Sequence, residues 1–249
     1  MAFPAKRVME KLDQYMAEKD FAAAERHLAY WLREAEADGD PRGRLTVLNE
    51  QIGFYRKTER ETEAIAAAEA ALALLESLSL DNSPTAATTL INAATAYKAF
   101  GRDEAALPLY ERAKEIYEAA LDADDTRLGG LYNNMALTVM STGDYRRAEK
   151  LFRRAIAVME KSKEGAWDMA VSYCNLADLA AAEHGLVQGE AKIAEALLRA
   201  MELLRAPELP RNAYDAFVCE KCAPTFDYYG FFILADELKE RARSFYERT

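Results

Sequence analysis

The sequence predicts an all-α protein built from repeated helical hairpins, on three observations. Hydrophobic residues make up 51% and charged residues 30% of 249, rich in alanine and glutamate and poor in β-branched runs, a composition that favours helix. A pair of alanines seven residues apart recurs as Ala64 and Ala71, Ala106 and Ala113, and Ala148 and Ala155, with 42 residues from each unit to the next. Seven residues is about two helical turns, so both members of a pair share one face. A glycine stands five residues before the first alanine at Gly101, Gly143 and Gly230, which marks a turn between two helices.

The units follow in order along one domain, 1–249. The first, 5–40, carries the weaker pair Ala24 and Trp31, with a turn expected near residue 19. "DGDPRG" separates it from 44–81, which turns near 59. The third, 84–123, opens with Ser83 and Pro84, an N-cap followed by a first-turn proline. In it Ala94 stands 12 residues before Ala106, a small residue that lets the first helix pack closely on the second. Ala136 repeats this in the fourth unit, 124–164, and Ala223 in the last. The fifth, 165–206, holds Ile193 and Ala200 and a three-residue insertion in "AEHGLVQGE", expected to form a loop around a turn near 187. The sixth, 209–249, holds Ala235 and Ala242, and Pro224 is expected to kink or end its first helix early.

Within the units, "LINAATAYKAFGRDEAA" (90–106) and "LYNNMALTVMSTGDYRRA" (131–148) share a leucine, asparagines, a small residue, a turn glycine and an alanine. This order resembles the tetratricopeptide repeat, and its 42-residue form is similar to the repeats of kinesin light chain, most strongly over 44–205. The period alone also admits HEAT or armadillo units, but the turn glycine and paired alanines favour the tetratricopeptide repeat. The resemblance implies a right-handed α-solenoid superhelix of about six hairpins, whose first helices line a concave groove.

Groove function then belongs to first-helix positions away from the packing alanines. Two residues before the small position stand Asn92, Asn134 and Asn175, with Asn133 beside Asn134, Asn49 one residue early in its unit, and Lys221 in the last unit. An asparagine side chain can pair with both the C=O and the N–H of an extended peptide. The resemblance implies this clamp, as used by kinesin light chain and bacterial peptide-pheromone receptors. The alternative is that the asparagines bridge neighbouring first helices. Gly129 and Gly130 start a helix at a cost of roughly 1 kcal/mol each, either as a cleared patch beside Asn133 and Asn134 or as simple tolerance near a helix start. Lys98 is a candidate partner for a ligand carboxylate or a solvated surface cation.

Other chemistry is not expected. "CEKC" (219–222) has half a zinc-ribbon spacing, but Cys219 and Cys222 fall at packing positions filled by Leu90 and Ala93 in the third unit. Cys174 and His184 make a still weaker pair. No catalytic set, phosphate loop, cofactor motif or metal site is predicted. A net charge of −10 disfavours nucleic acid, and no apolar run reaches a membrane-spanning length. Three cysteines and an N-terminus without an apolar core point to the cytoplasm. The expected function is non-catalytic binding of a protein or peptide segment in the groove. The alternatives are a homo-oligomeric scaffold, with a possible homodimer through the aromatic-rich C-terminal helices, or a bacterial peptide-sensing regulator.

Overall fold

The computed structural model describes residues 3–78, 82–162, 165–207 and 209–247. Among these the chain forms eleven α-helices and no strand, grouped in two compact units, Met1–Ala120 and Leu121–Thr249. The expected unit ends at 81, 164 and 249 lie outside the described residues.

The first unit holds α1 (Ala5–Ala17), α2 (Phe21–Ala37), α3 (Pro41–Lys57), α4 (Glu61–Ser77), α5 (Pro84–Ala99) and α6 (Asp103–Ala120). Each odd helix pairs with the even helix after it, and α5 packs against both α3 and α4. Side-chain caps set the starts. Asp20 accepts from the Ala23 N–H, Asp40 from those of Arg42 and Gly43, and Ser83 from that of Ala86, with Pro41 and Pro84 at first-turn positions. The core follows the repeat, since Ala24, Ala64, Ala71, Ala94, Ala106 and Ala113 are all fully buried.

The second unit holds α7 (Thr126–Ser141), α8 (Tyr145–Met159), α9 (Ala166–Leu204), α10 (Ala213–Tyr228) and α11 (Phe232–Tyr246). The long α9 is a hairpin in disguise: Gly185, at φ 76° and ψ 166°, breaks it into arms 166–184 and 186–204. The insertion expected as a loop is therefore helical. One glycine reverses the chain, and the extra residues add to the start of the second arm, leaving Leu186 and Val187 exposed. Nor does α10 end early at Pro224; it continues to Tyr228. Pro224 and Glu220 both lie on the exposed side, where water can take the carbonyl that the proline leaves without a donor.

A backbone residue at positive φ marks the turn of every hairpin: Lys19, Glu59, Gly101, Gly143, Gly185 and Gly230. At four of them the next N–H reaches back to close the helix end, as Arg60 does to the Tyr55 carbonyl and Arg102 to that of Tyr97, both at 2.9 Å. The C-terminal hairpin is tied down by buried Asp215 on α10. It accepts from Trp167 Nε1 on α9 at 3.0 Å and from Arg241 on α11, whose Nε lies 2.6 Å from Oδ2. Arg241 also donates to the Leu204 carbonyl at 2.7 Å, so one ion pair joins three helices. No helix among the described residues is long and apolar enough to cross a membrane.

Candidate functional site

Four of the six candidate asparagines bond to one another in two pairs. In the first unit Asn92 Nδ2 donates to Asn49 Oδ1 at 2.9 Å, while Asn49 Nδ2 donates to Thr89 Oγ1 at 2.9 Å and to its own helix at the Leu45 carbonyl. In the second unit Asn175 Nδ2 donates to Asn133 Oδ1 at 2.9 Å, and Ser172 Oγ donates to the same oxygen at 3.1 Å.

The two sets occupy identical register. Asn49 and Asn133 stand three residues before the position that Ile52 and Ala136 fill, Asn92 and Asn175 two before Ala94 and Ala177, and Thr89 and Ser172 five before the same alanines. Each set thus links one first helix to the next through an amide, a second amide and a buried hydroxyl. Thr89 and Ser172 were not legible as members. Their signal was a small hydroxyl residue on an otherwise apolar buried face.

Asn134 is different. It is half-buried, and its side chain makes no hydrogen bond among the described residues. It borders a cleft of about 180 Å³ in the second unit, between the first helices α7, α9 and α10, which also brings together Gly129, Gly130, Asn133 and Lys221. Gly130 makes the space: a Cβ there would meet nothing within 4 Å, whereas Val171 and Phe217 fill the equivalent positions of the next two hairpins. Gly129 has another role, because its Cβ would come within 2.5 Å of Met159 Cε. Of the remaining candidates, Asn49, Asn92 and Lys98 belong to the first unit, Lys98 half-buried in the last turn of α5.

The far wall of the cleft is acidic and aromatic. Asp168 on α9 accepts a 2.7 Å hydrogen bond from the Tyr214 hydroxyl through Oδ1. Burial raises the Asp168 carboxyl above the ordinary aspartate value, against the opposing influence of that bond and of Lys221. Burial and the same carboxylate push the Tyr214 phenol up. Tyr214 stacks on Phe217 with centroids 6.0 Å apart and planes 29° from parallel, and both rings are more than two-fifths exposed. The Lys221 ammonium sits 5.8 Å from the Phe217 centroid at the rim.

The thiols lie elsewhere. Cys174, Cys219 and Cys222 are free and buried, and no group of three potential metal ligands occurs among the described residues. A hydrogen bond with Cys222, then burial, raises Cys174, and burial pushes Cys219 up to about 12. These are packed thiols, unfavourable as thiolates at neutral pH.

Residues 43–119 and 129–162 match tetratricopeptide-repeat family profiles. No curated protein matches the chain. The fold is similar to nearly identical TPR-like repeats assigned to a kinesin light chain of Podosopora anserina, at 19% identity and TM-score 0.59, covering 81% of this chain and 94% of that one. It is similar to BtubC (BKLC) from P. vanneervenii at 18% identity and TM-score 0.59, covering 92% and 90%. It is also similar to NprR in complex with its cognate peptide NprX, at 12% identity and TM-score 0.62, covering 96% of this chain and 66% of that one. With its repeats recognised on both sides of residue 120, its buried alanine register and this shared fold, the chain belongs to the tetratricopeptide-repeat family.

Proposed function

We propose that the protein is a non-catalytic scaffold that binds a peptide or protein segment on the first-helix face of its second unit, with one residue of the segment entering the cleft at Gly130. The observation that carries this reading is the coincidence of empty space at Gly130 with the uncommitted amide of Asn134. At about 180 Å³ the cleft is smaller than the roughly 300–1,000 Å³ usual for small-molecule and cofactor sites, which suits a single residue of a longer ligand. Asn134 supplies both a donor and an acceptor for a main chain passing the opening. Asn49, Asn92, Asn133 and Asn175 serve this face by holding successive first helices in register. The similarity to NprR, a protein solved with a bound peptide, supports the same class of ligand. Three buried free thiols suit the reducing cytoplasm.

The test is selection of random peptides displayed on phage against the immobilised protein, with affinities of the winners measured for wild type, Gly130→Leu and Asn134→Ala. Gly130→Leu should fill the cleft and abolish binding of most winners, and Asn134→Ala should weaken them by about 5- to 150-fold, the worth of one or two hydrogen bonds. Winners that bind both variants as tightly as wild type would place the ligand elsewhere.

A further inference from the structure

The cleft carries information about which residue it accepts. Its innermost polar group is the Asp168 carboxylate, half-buried on α9 and tethered through Oδ1 to Tyr214, with no hydrogen bond to Oδ2 among the described residues. Beside it stand the partly exposed, stacked rings of Tyr214 and Phe217. The opposite wall, at Gly130, offers no side chain. A carboxylate oxygen next to flat aromatic faces suits a planar cation, since a guanidinium can donate to the acid in its own plane while lying against a ring. The 5.8 Å approach of the Lys221 ammonium to Phe217 already places a cation near one of these rings.

From this arrangement we infer that the cleft selects an arginine side chain of the bound segment, with Asp168 receiving the guanidinium and Tyr214 and Phe217 forming the surface on which it lies. This rests on the reading of the face as a peptide-binding surface and adds the chemistry of one ligand residue to it. Lys221 limits the selectivity: it stabilises the Asp168 charge and repels an incoming cation. The overall charge of −10 draws basic segments towards the protein at low ionic strength.

Lys221 separates this inference from its opposite. If the ligand presents a carboxylate, Lys221 is its partner and its removal weakens binding; if the ligand presents arginine, removal strengthens it. Capped heptapeptide libraries with randomised flanks and a fixed central Arg, Lys, Glu or Leu would be titrated against the full chain by fluorescence anisotropy. The Arg library should bind about tenfold more tightly than the Leu and Glu libraries, as expected for a charge-assisted hydrogen bond in a partly desolvated site. Asp168→Asn keeps an acceptor for Tyr214, so it should erase the Arg preference while leaving the Leu library's affinity and the melting temperature nearly unchanged. Lys221→Met should enlarge the preference.

A preference for Glu that disappears in Lys221→Met overturns the inference in favour of an anionic ligand residue. An Arg preference that survives Asp168→Asn also overturns it, because the selectivity then arises elsewhere. Equal binding of all four libraries, weakened throughout by Gly130→Leu, leaves the peptide-binding face standing and removes only the arginine. If no library binds, both the face and the arginine fall together.

Discussion

Asn175 donates from Nδ2 to Oδ1 of Asn133 across 2.9 Å, and Asn92 makes the same bond to Asn49 at the same distance and in the same register. The bond joins successive first helices, so its amides contribute to the packing of the scaffold. Removing Asn133 leaves both the Asn175 amide and the buried Ser172 hydroxyl without their shared acceptor. Asn133→Ala should therefore lose roughly 1–3 kcal/mol of stability. Asn134→Ala, with no bond to lose, should stay within about 0.5 kcal/mol of wild type. Urea denaturation of the two variants decides it: equal losses would show that the 133–175 bond contributes nothing particular.

The adjacent glycines should respond with different signs. Gly130→Ala places a methyl group in open space within a helix and should gain about 0.5–1 kcal/mol. Gly129→Ala drives its Cβ into the Met159 side chain, with Cε at 2.5 Å and Cγ at 3.0 Å, and should give back that gain or lose more. Thermal melts of the single variants check this. A destabilised Gly130→Ala would mean that the cleft is closed in solution.

Two hairpins turn without glycine. Glu59 at φ 59° and Lys19 at φ 57° hold the left-handed conformation that glycine takes in the other four. A non-glycine residue there costs roughly 1–2 kcal/mol, partly offset by the smaller entropy that it loses on folding. Glu59→Gly should thus stabilise the protein by about 0.5–1 kcal/mol, and Gly101→Ala should destabilise it. Opposite signs in chemical denaturation are the expected result; a destabilised Glu59→Gly would contradict it.

The Asp215–Arg241 pair predicts a non-additive result. Asp215→Ala leaves the buried Arg241 guanidinium and Trp167 Nε1 without their carboxylate, which should cost about 3–5 kcal/mol. Replacing both charges, as Asp215→Leu with Arg241→Met, should recover a large part of that loss. A double-mutant cycle followed by circular dichroism measures the coupling, and purely additive losses would show that the two charges act independently.

The sequence by itself determined the repeat and the hairpin. Helical periodicity is a local property, so alanines seven residues apart had to share a face, and a glycine five residues upstream had to lie in a turn. Ala64, Ala106 and Ala148 are fully buried, and Gly101 and Gly143 have positive φ. Only the tertiary structure decided how the neighbouring asparagines divide their roles. Asn133 and Asn134 are identical in type, yet about 100° of helical rotation turns one towards Asn175 and leaves the other at the mouth of the cleft. Tertiary packing also set Asp168 against Tyr214, 46 residues away, and turned the insertion after Gly185 into helix instead of loop. Such pairings depend on which faces of different helices meet, and spacing within one helix cannot encode that distance.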